Sequence, residues 1–190
     1  MPRSWAALPV ALMLAACGKP ATLGYRVVAT KPHDPESYTQ GLEFSNGRLF
    51  ESSGGYGSST LREVDPANGA VLRKRPMAKH VFAEGITLLN NELFVLTWKE
   101  KTCYVLEPDT FRFLRTHDYQ GEGWGLTHDD KYLYASDGTD QIFTIDPKTF
   151  KVVDTLKVKT TDGQAIRYIN ELELVDGYIY GNVLPQNIVI

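Results

Sequence analysis

The stretch AEGITLLNNELFVLTW, residues 83–98, joins an apolar run led by Glu84-Gly85-Ile86 to a second apolar run through a polar turn at Asn90-Asn91. Three further stretches share this grammar: TQGLEFSNGRLFESSG at 39–54, GWGLTHDDKYLYASDG at 123–138 and INELELVDGYIYGNV at 169–183. In each, one variable residue (Gln40, Glu84, Trp124 or Asn170) stands two positions before Leu or Ile. These marked residues are spaced 44, 40 and 46 apart. A period of about 40–45 residues with several short strands per copy is the signature of a β-propeller blade. The acidic-proline pairs Asp65-Pro66, Glu107-Pro108 and Asp146-Pro147 give a second measure of the period, at 42 and 39 residues.

Working outward, each unit reads as short apolar strands separated by turn chemistry, and no helical periodicity competes. In the first, Gly41–Phe44 and Arg48–Ser52 flank Asn46-Gly47, followed by strands at Thr60–Val64 and Val71–Lys74. The second repeats this at Ile86–Leu89, Leu93–Thr97, Cys103–Leu106 and Phe113–Thr116, and the third at Leu126-Thr127, Tyr132–Ser136, Ile142–Ile145 and Val152–Leu156. The fourth holds Glu171–Leu174 and Tyr178–Val183, with a third strand beginning near Ile190. Tyr25–Thr30 reads as one more strand, suited to the outer edge of a closing blade. The expectation is an all-β, incomplete propeller: three full blades, part of a fourth, and this N-terminal strand. Such a ring keeps two sheet edges open, so the chain reads as truncated.

The chain has 190 residues, 43% of them hydrophobic, and a formal charge of −3. That is enough for one globular domain with a real core and offers no basic stripe for nucleic acid. At the N-terminus, Arg3 precedes an apolar run from Trp5 to Ala16 that ends Leu14-Ala15-Ala16-Cys17. This is the form of an export signal. Its ending resembles a bacterial lipobox, which implies cleavage before Cys17, acylation of its thiol, and residues 18–23 as a tether to the domain at 24–190. The expected location is the periplasmic side of the cell envelope, with the membrane met only through the lipid. Cys103 is then the one free thiol, a buried small hydrophobe in TCYVLE.

In a propeller the first strand of each blade lines the central channel, so Gln40, Glu84, Trp124 and Asn170 converge at one end of the axis. Glu122 and Trp98 fall near the same rim. Two amides offer directed hydrogen bonds, and two indoles exclude water and raise the pKa of Glu84 toward neutrality, as proton transfer requires. The alternative is that these groups only bond one another, as polar residues on propeller axes do. His33, His80, His117 and His128 lack metal-ligand spacing, so no metal or cofactor is called for. Asp129-Asp130 and Asp137-Gly138 read as turn residues.

The motifs Tyr38-Thr39-Gln40-Gly41-Leu42, Phe82-Ala83-Glu84-Gly85-Ile86-Thr87, Thr97-Trp98-Lys99, Gly121-Glu122-Gly123-Trp124-Gly125-Leu126-Thr127, Ser136-Asp137-Gly138 and Ile169-Asn170-Glu171-Leu172-Glu173 occur in order at blade spacing. From Tyr25 to Asn182 the chain resembles glutaminyl cyclase of the plant and bacterial type, the five-bladed β-propeller glutaminyl-peptide cyclotransferases. The resemblance implies an acyltransferase that converts the N-terminal glutamine of peptides to pyroglutamate and releases ammonia. It makes Glu84 the general acid/base, Gln40 and Asn170 pocket-lining groups for the amide or oxyanion, and Trp98 and Trp124 pocket walls. Glu122 is a further pocket carboxylate; Thr39 and Lys99 are weaker candidates, Lys99 as a solvated rim charge. The implied partners are peptides or proteins with N-terminal glutamine, and the expected state is a monomer. Leu184-Pro185 stands where the family has a tryptophan after Asn-Val, and the family's last blade has no counterpart. Two other readings stay open: a lipid-anchored propeller scaffold for envelope proteins, or an inactive truncated fragment.

Overall fold

The computed structural model describes residues 24–190, which form four antiparallel sheets and, among the described residues, no helix. The first sheet runs β1 (Thr39–Ser45), β2 (Arg48–Ser53), β3 (Thr60–Val64) and β4 (Val71–Pro76) in chain order. The second is β5 (Ala83–Leu89), β6 (Glu92–Thr97), β7 (Thr102–Leu106) and β8 (Phe113–Asp118). The third is β9 (Leu126–His128), β10 (Leu133–Ser136), β11 (Gln141–Ile145) and β12 (Val152–Lys157); the fourth is β13 (Ile169–Val175), β14 (Tyr178–Val183) and the short β15 (Ile188–Val189). Each sheet is a meander whose first strand packs against the first strand of the next: β1 on β5, β5 on β9, β9 on β13. This is a four-blade, propeller-like arrangement.

The turns follow from their residues. Asn46-Gly47, Asn90-Asn91 and Asp176-Gly177 all have positive φ at both positions, the geometry of the tight turn that suits twisted hairpins. After the third strand of each full blade, Asp65, Glu107 and Asp146 open a tight turn that needs a left-handed residue, supplied by Gly69, Phe111 and Phe150. For the phenylalanines the strain is offset by burial, since Phe111 and Phe150 sink into the cores between blades.

Those cores lie between sheets. On β6, Leu93 and Val95 face the first blade and pack with Phe50, Leu61 and Ile86, whereas Phe94 and Leu96 face the third and pack with Leu126, Leu133 and Phe150. Successive side chains on a strand point to opposite faces, so covering both faces makes the four central residues of β6, Leu93 to Leu96, all apolar. Cys103 is fully buried in the same core. The fourth strands β4, β8 and β12 are largely exposed and carry charge, which suits sheet edges that must stay unpaired.

Two expectations need correction. Tyr25–Thr30 is not a strand: it pairs with no neighbour among the described residues, and Tyr25 and Val28 are solvent-exposed. β-propensity there is not matched by a ladder partner, and a strand exists only against one. The segment behind it is instead docked by side chains, with Glu51 Oε1 accepting from Ser37 and Thr39 hydroxyls and lying 2.9 Å from His33 Nε2. The third strand of the fourth sheet starts at Ile188, two residues before the expected point.

Candidate active site

Gln40, Glu84 and Asn170 are each the second residue of an innermost strand, and Trp124 stands two residues before β9. What brings them to a common hub is the glycine that follows three of them. A methyl group on Gly41 would lie 2.8 Å from Ile86 N, on Gly85 2.5 Å from Leu126 N, and on Gly125 2.1 Å from Asn170 O. All are closer than real Cβ contacts, so the inner strands meet backbone to backbone. In the fourth unit the equivalent position is Glu171, whose Oε1 accepts the main-chain N–H of Leu42 at 3.3 Å.

Glu84 is 6% exposed. Its main-chain carbonyl accepts the Ser52 hydroxyl, but among the described residues its carboxyl accepts no hydrogen bond. Burial, and then the carboxylates of Glu122 and Glu100, push its pKa up to about 8. A carboxyl without stabilising donors, held among other acids, keeps its proton near neutral pH.

Glu122 organises the two indoles. Its Oε2 accepts Trp98 Nε1 at 2.7 Å and Trp124 Nε1 at 3.0 Å, so both rings are fixed by one oxygen. Gly138 makes room for Trp124, since a methyl there would lie 2.6 Å from Trp124 Cζ2. Gly123 donates its main-chain N–H to Trp98 O at 3.0 Å, holding the Glu122 loop against the second blade. Lys99 Nζ lies 3.8 Å from the Trp98 ring centroid, a cation–π contact more specific than the solvated rim charge expected of it. Thr39, the first residue of β1, donates its hydroxyl to Glu51.

Gln40 and Asn170 make no hydrogen bond to the indoles among the described residues. They line a cleft of about 390 Å³ between β1 and β13, together with Glu171, Glu173 and Asn182. Asn170 is positioned through its carbonyl, which accepts the Ser136 hydroxyl at 2.6 Å, and Gln40 Nε2 donates to Tyr38 O at 3.2 Å. Glu171 Oε2 is sealed from solvent without a hydrogen-bond partner among the described residues, and burial raises its pKa strongly. Of the six expected pocket residues, Trp98, Trp124 and Glu122 are joined by hydrogen bonds, Glu84 lies within electrostatic reach of Glu122, and Gln40 and Asn170 share the cleft between β1 and β13.

Sequence reading did not single out Glu100, Tyr56 or Phe82. Glu100 accepts the Tyr56 hydroxyl at 3.0 Å and the Phe82 N–H at 3.3 Å. Phe82 could have been noticed two residues before Glu84; Tyr56 lies in a loop with no repeat counterpart. Asp129 and Asp137 are turn residues, each accepting backbone N–H groups within its own loop. Among the described residues no group of three or more His, Cys, Asp or Glu is arranged to hold a metal ion. Cys17 and the leader lie outside the described residues.

A repeating all-β hub, with a proton-retaining acid in electrostatic reach of the carboxylate that pins two indoles, is the setting in which the comparisons fall. The glutamine cyclotransferase family model matches residues 5–190, and this chain belongs to that family. A glutaminyl-peptide cyclotransferase from Arabidopsis thaliana is 40% identical over 159 residues, covering 83% of this chain and 49% of the plant protein. The chain thus spans about half the length of that curated relative. The crystal structure of Myxococcus xanthus glutaminyl cyclase superposes with a TM-score of 0.80 at 32% identity, over 86% of this chain and 69% of that one. The β-propeller domain of Cps50 (Swd1) from Myceliophteria thermophila, 12% identical with a TM-score of 0.53 over 77% of this chain and 49% of its own, shares the fold alone.

Proposed function

We propose that this chain carries the reaction centre of a glutaminyl-peptide cyclotransferase, with Glu84 as the proton-transfer group. The observation that carries this reading is the buried Glu84 carboxyl, raised to about 8, without a hydrogen-bond donor among the described residues and in electrostatic reach of Glu122, which pins two indoles. The reaction closes a five-membered ring. The neutral α-amine of the N-terminal glutamine attacks its own γ-carboxamide carbon, a C–N bond forms, and the carboxamide C–N bond breaks to release ammonia. The amine nitrogen sheds one proton and the leaving nitrogen gains one, so a single group able to take and return a proton suffices. A carboxyl with a pKa near 8 is matched to an α-amine whose ordinary value is about 7.7–8.0.

The remaining roles follow from chemistry. Trp98 and Trp124 exclude water and press the glutamine side chain back toward its amine, an entropic task that dominates ring closure. Gln40 and Asn170 carry amide N–H donors suited to the carbonyl oxygen as charge develops on it. Glu122 contributes by fixing the indoles and by raising Glu84.

We further propose that the four sheets belong to a five-bladed ring, a reading supported by the cleft between β1 and β13. Export as a lipoprotein through Cys17 to the periplasmic face, and action as a monomer, complete the proposal; the Leu14-Ala15-Ala16-Cys17 pattern supports the first. The decisive assay is ammonia release from a glutaminyl dipeptide amide at neutral pH by wild type and Glu84→Gln. Turnover by wild type and its loss in the variant is expected; equal turnover by both would end the assignment of Glu84.

A further inference from the structure

Four aromatic rings from the first two blades gather at the rim beside the Gln40 side chain. Phe82 sits at the middle: its ring centroid is 6.1 Å from Tyr38, 5.4 Å from Tyr56 and 5.4 Å from Trp98, each in an edge-on arrangement. Tyr56 also stacks over Trp98 at 6.5 Å. Gly54 ties the group to the hub, because a methyl on it would meet both the Phe82 ring and Gln40 Cγ. Unlike the aromatics between blades, this cluster is open, with Tyr38 65% and Tyr56 51% exposed. Contiguous apolar surface of this kind is uncommon without a binding role.

Three of the rings, Tyr56, Phe82 and Trp98, belong to residues tethered before any ligand arrives. Glu100 accepts the Tyr56 hydroxyl with one oxygen and the Phe82 N–H with the other, and Trp98 is pinned to Glu122. Fixed aromatic faces lose little conformational freedom on contact, which makes them efficient recognition elements. Trp98 belongs both to this rim and to the indole pair at Glu122. A peptide whose first residue occupies the hub therefore leaves past Trp98 onto Phe82, Tyr56 and Tyr38.

We propose that Tyr38, Tyr56, Phe82 and Trp98 form a subsite for the side chain of the second residue of the peptide, and that it selects apolar and aromatic side chains. The inference rests on the function proposed above and adds a sequence preference to it. Ring-on-ring contact and burial of the side chain favour phenylalanine over glycine at that position by roughly tenfold in affinity.

Binding of pyroglutamyl-phenylalanine amide and pyroglutamyl-glycine amide, followed by tryptophan fluorescence, tests the subsite without requiring turnover. Tighter binding of the phenylalanine peptide by about tenfold is expected. Tyr56→Ala should narrow the difference to less than about threefold, whereas Tyr56→Phe, which keeps the ring and loses the Glu100 bond, should retain it. Equal affinity for the two peptides, or a preference unmoved by Tyr56→Ala, overturns the subsite. A parallel comparison of glutaminyl-phenylalanine amide and glutaminyl-glycine amide should place the difference in KM and not in kcat. A binding preference with no turnover of either peptide would remove the proposed reaction and leave the subsite; equal turnover with equal binding would do the reverse.

Discussion

Ser52 on β2 donates its hydroxyl to the main-chain carbonyl of Glu84 in the neighbouring blade. Ser136 on β10 makes the same bond to the carbonyl of Asn170. The bond fixes the backbone that aims the Glu84 side chain, and Ser52 is itself fully buried. Ser52→Ala should therefore cost about 1–2 kcal/mol of stability, from a buried carbonyl left short of a donor. Urea unfolding would measure that loss, and a several-fold fall in kcat should accompany it.

Glu84 gives the chain a pH-dependent stability whose sign is fixed. Its folded value of about 8 lies above the ordinary 4.5, so between those limits the folded protein keeps a proton that the unfolded chain releases. Below pH 4.5 both states are protonated and the group is neutral in its effect; as pH rises toward 8 it destabilises by up to about 1.4 kcal/mol per unit. Glu173, pushed up to about 7 by desolvation and by Glu43, acts in the same direction. Glu84→Gln should match wild type near pH 4.5 and exceed it by on the order of 3 kcal/mol at pH 8 while losing activity. Denaturant melts at the two pH values separate these outcomes.

Glu122→Gln tests the link between the indoles and the acid. Removing this negative charge lowers the pKa of Glu84, because Glu122 is the largest charge raising it. The limb of the pH–rate profile that reports Glu84 should move toward acid, by up to about one unit. An amide oxygen is a weaker acceptor than the carboxylate that now holds both indole N–H groups, so tryptophan fluorescence should shift at the same time. An unmoved profile would mean that Glu122 acts on the rings alone.

Gly125→Ala should be among the most damaging small substitutions in the chain. The added methyl would stand 2.1 Å from Asn170 O and 2.7 Å from Glu171 Cα, both backbone atoms with no rotamer to yield. A loss of about 3 kcal/mol or more is expected from thermal melts, against a few tenths at the open Gly177 were φ not positive there.

The repeat in the sequence carried most of this architecture. Marked residues at 40, 84, 124 and 170 predict four inner strands, and the structure has β1, β5, β9 and β13 there or immediately after. Tyr25–Thr30 misled because Tyr25, Val27, Val28 and Thr30 report a preference for extended backbone, whereas a strand also needs a partner, which sequence spacing did not supply. Within the site, Glu84, Trp98, Trp124 and Glu122 were legible because they occupy repeat positions or adjoin them. Glu100 and Tyr56 were not, since their importance comes from one hydrogen bond between two loops 44 residues apart.

The contact of inner strands through Gly41, Gly85 and Gly125 has a consequence for how such a ring can change. The bore of the ring is gauged by peptide planes, which every sequence shares, and not by side-chain bulk. The position just ahead of each glycine can therefore exchange an acid for an amide or an indole without altering the diameter around which the blades close. Chemistry at the mouth and the mechanical fit of the ring become separable traits, open to independent revision.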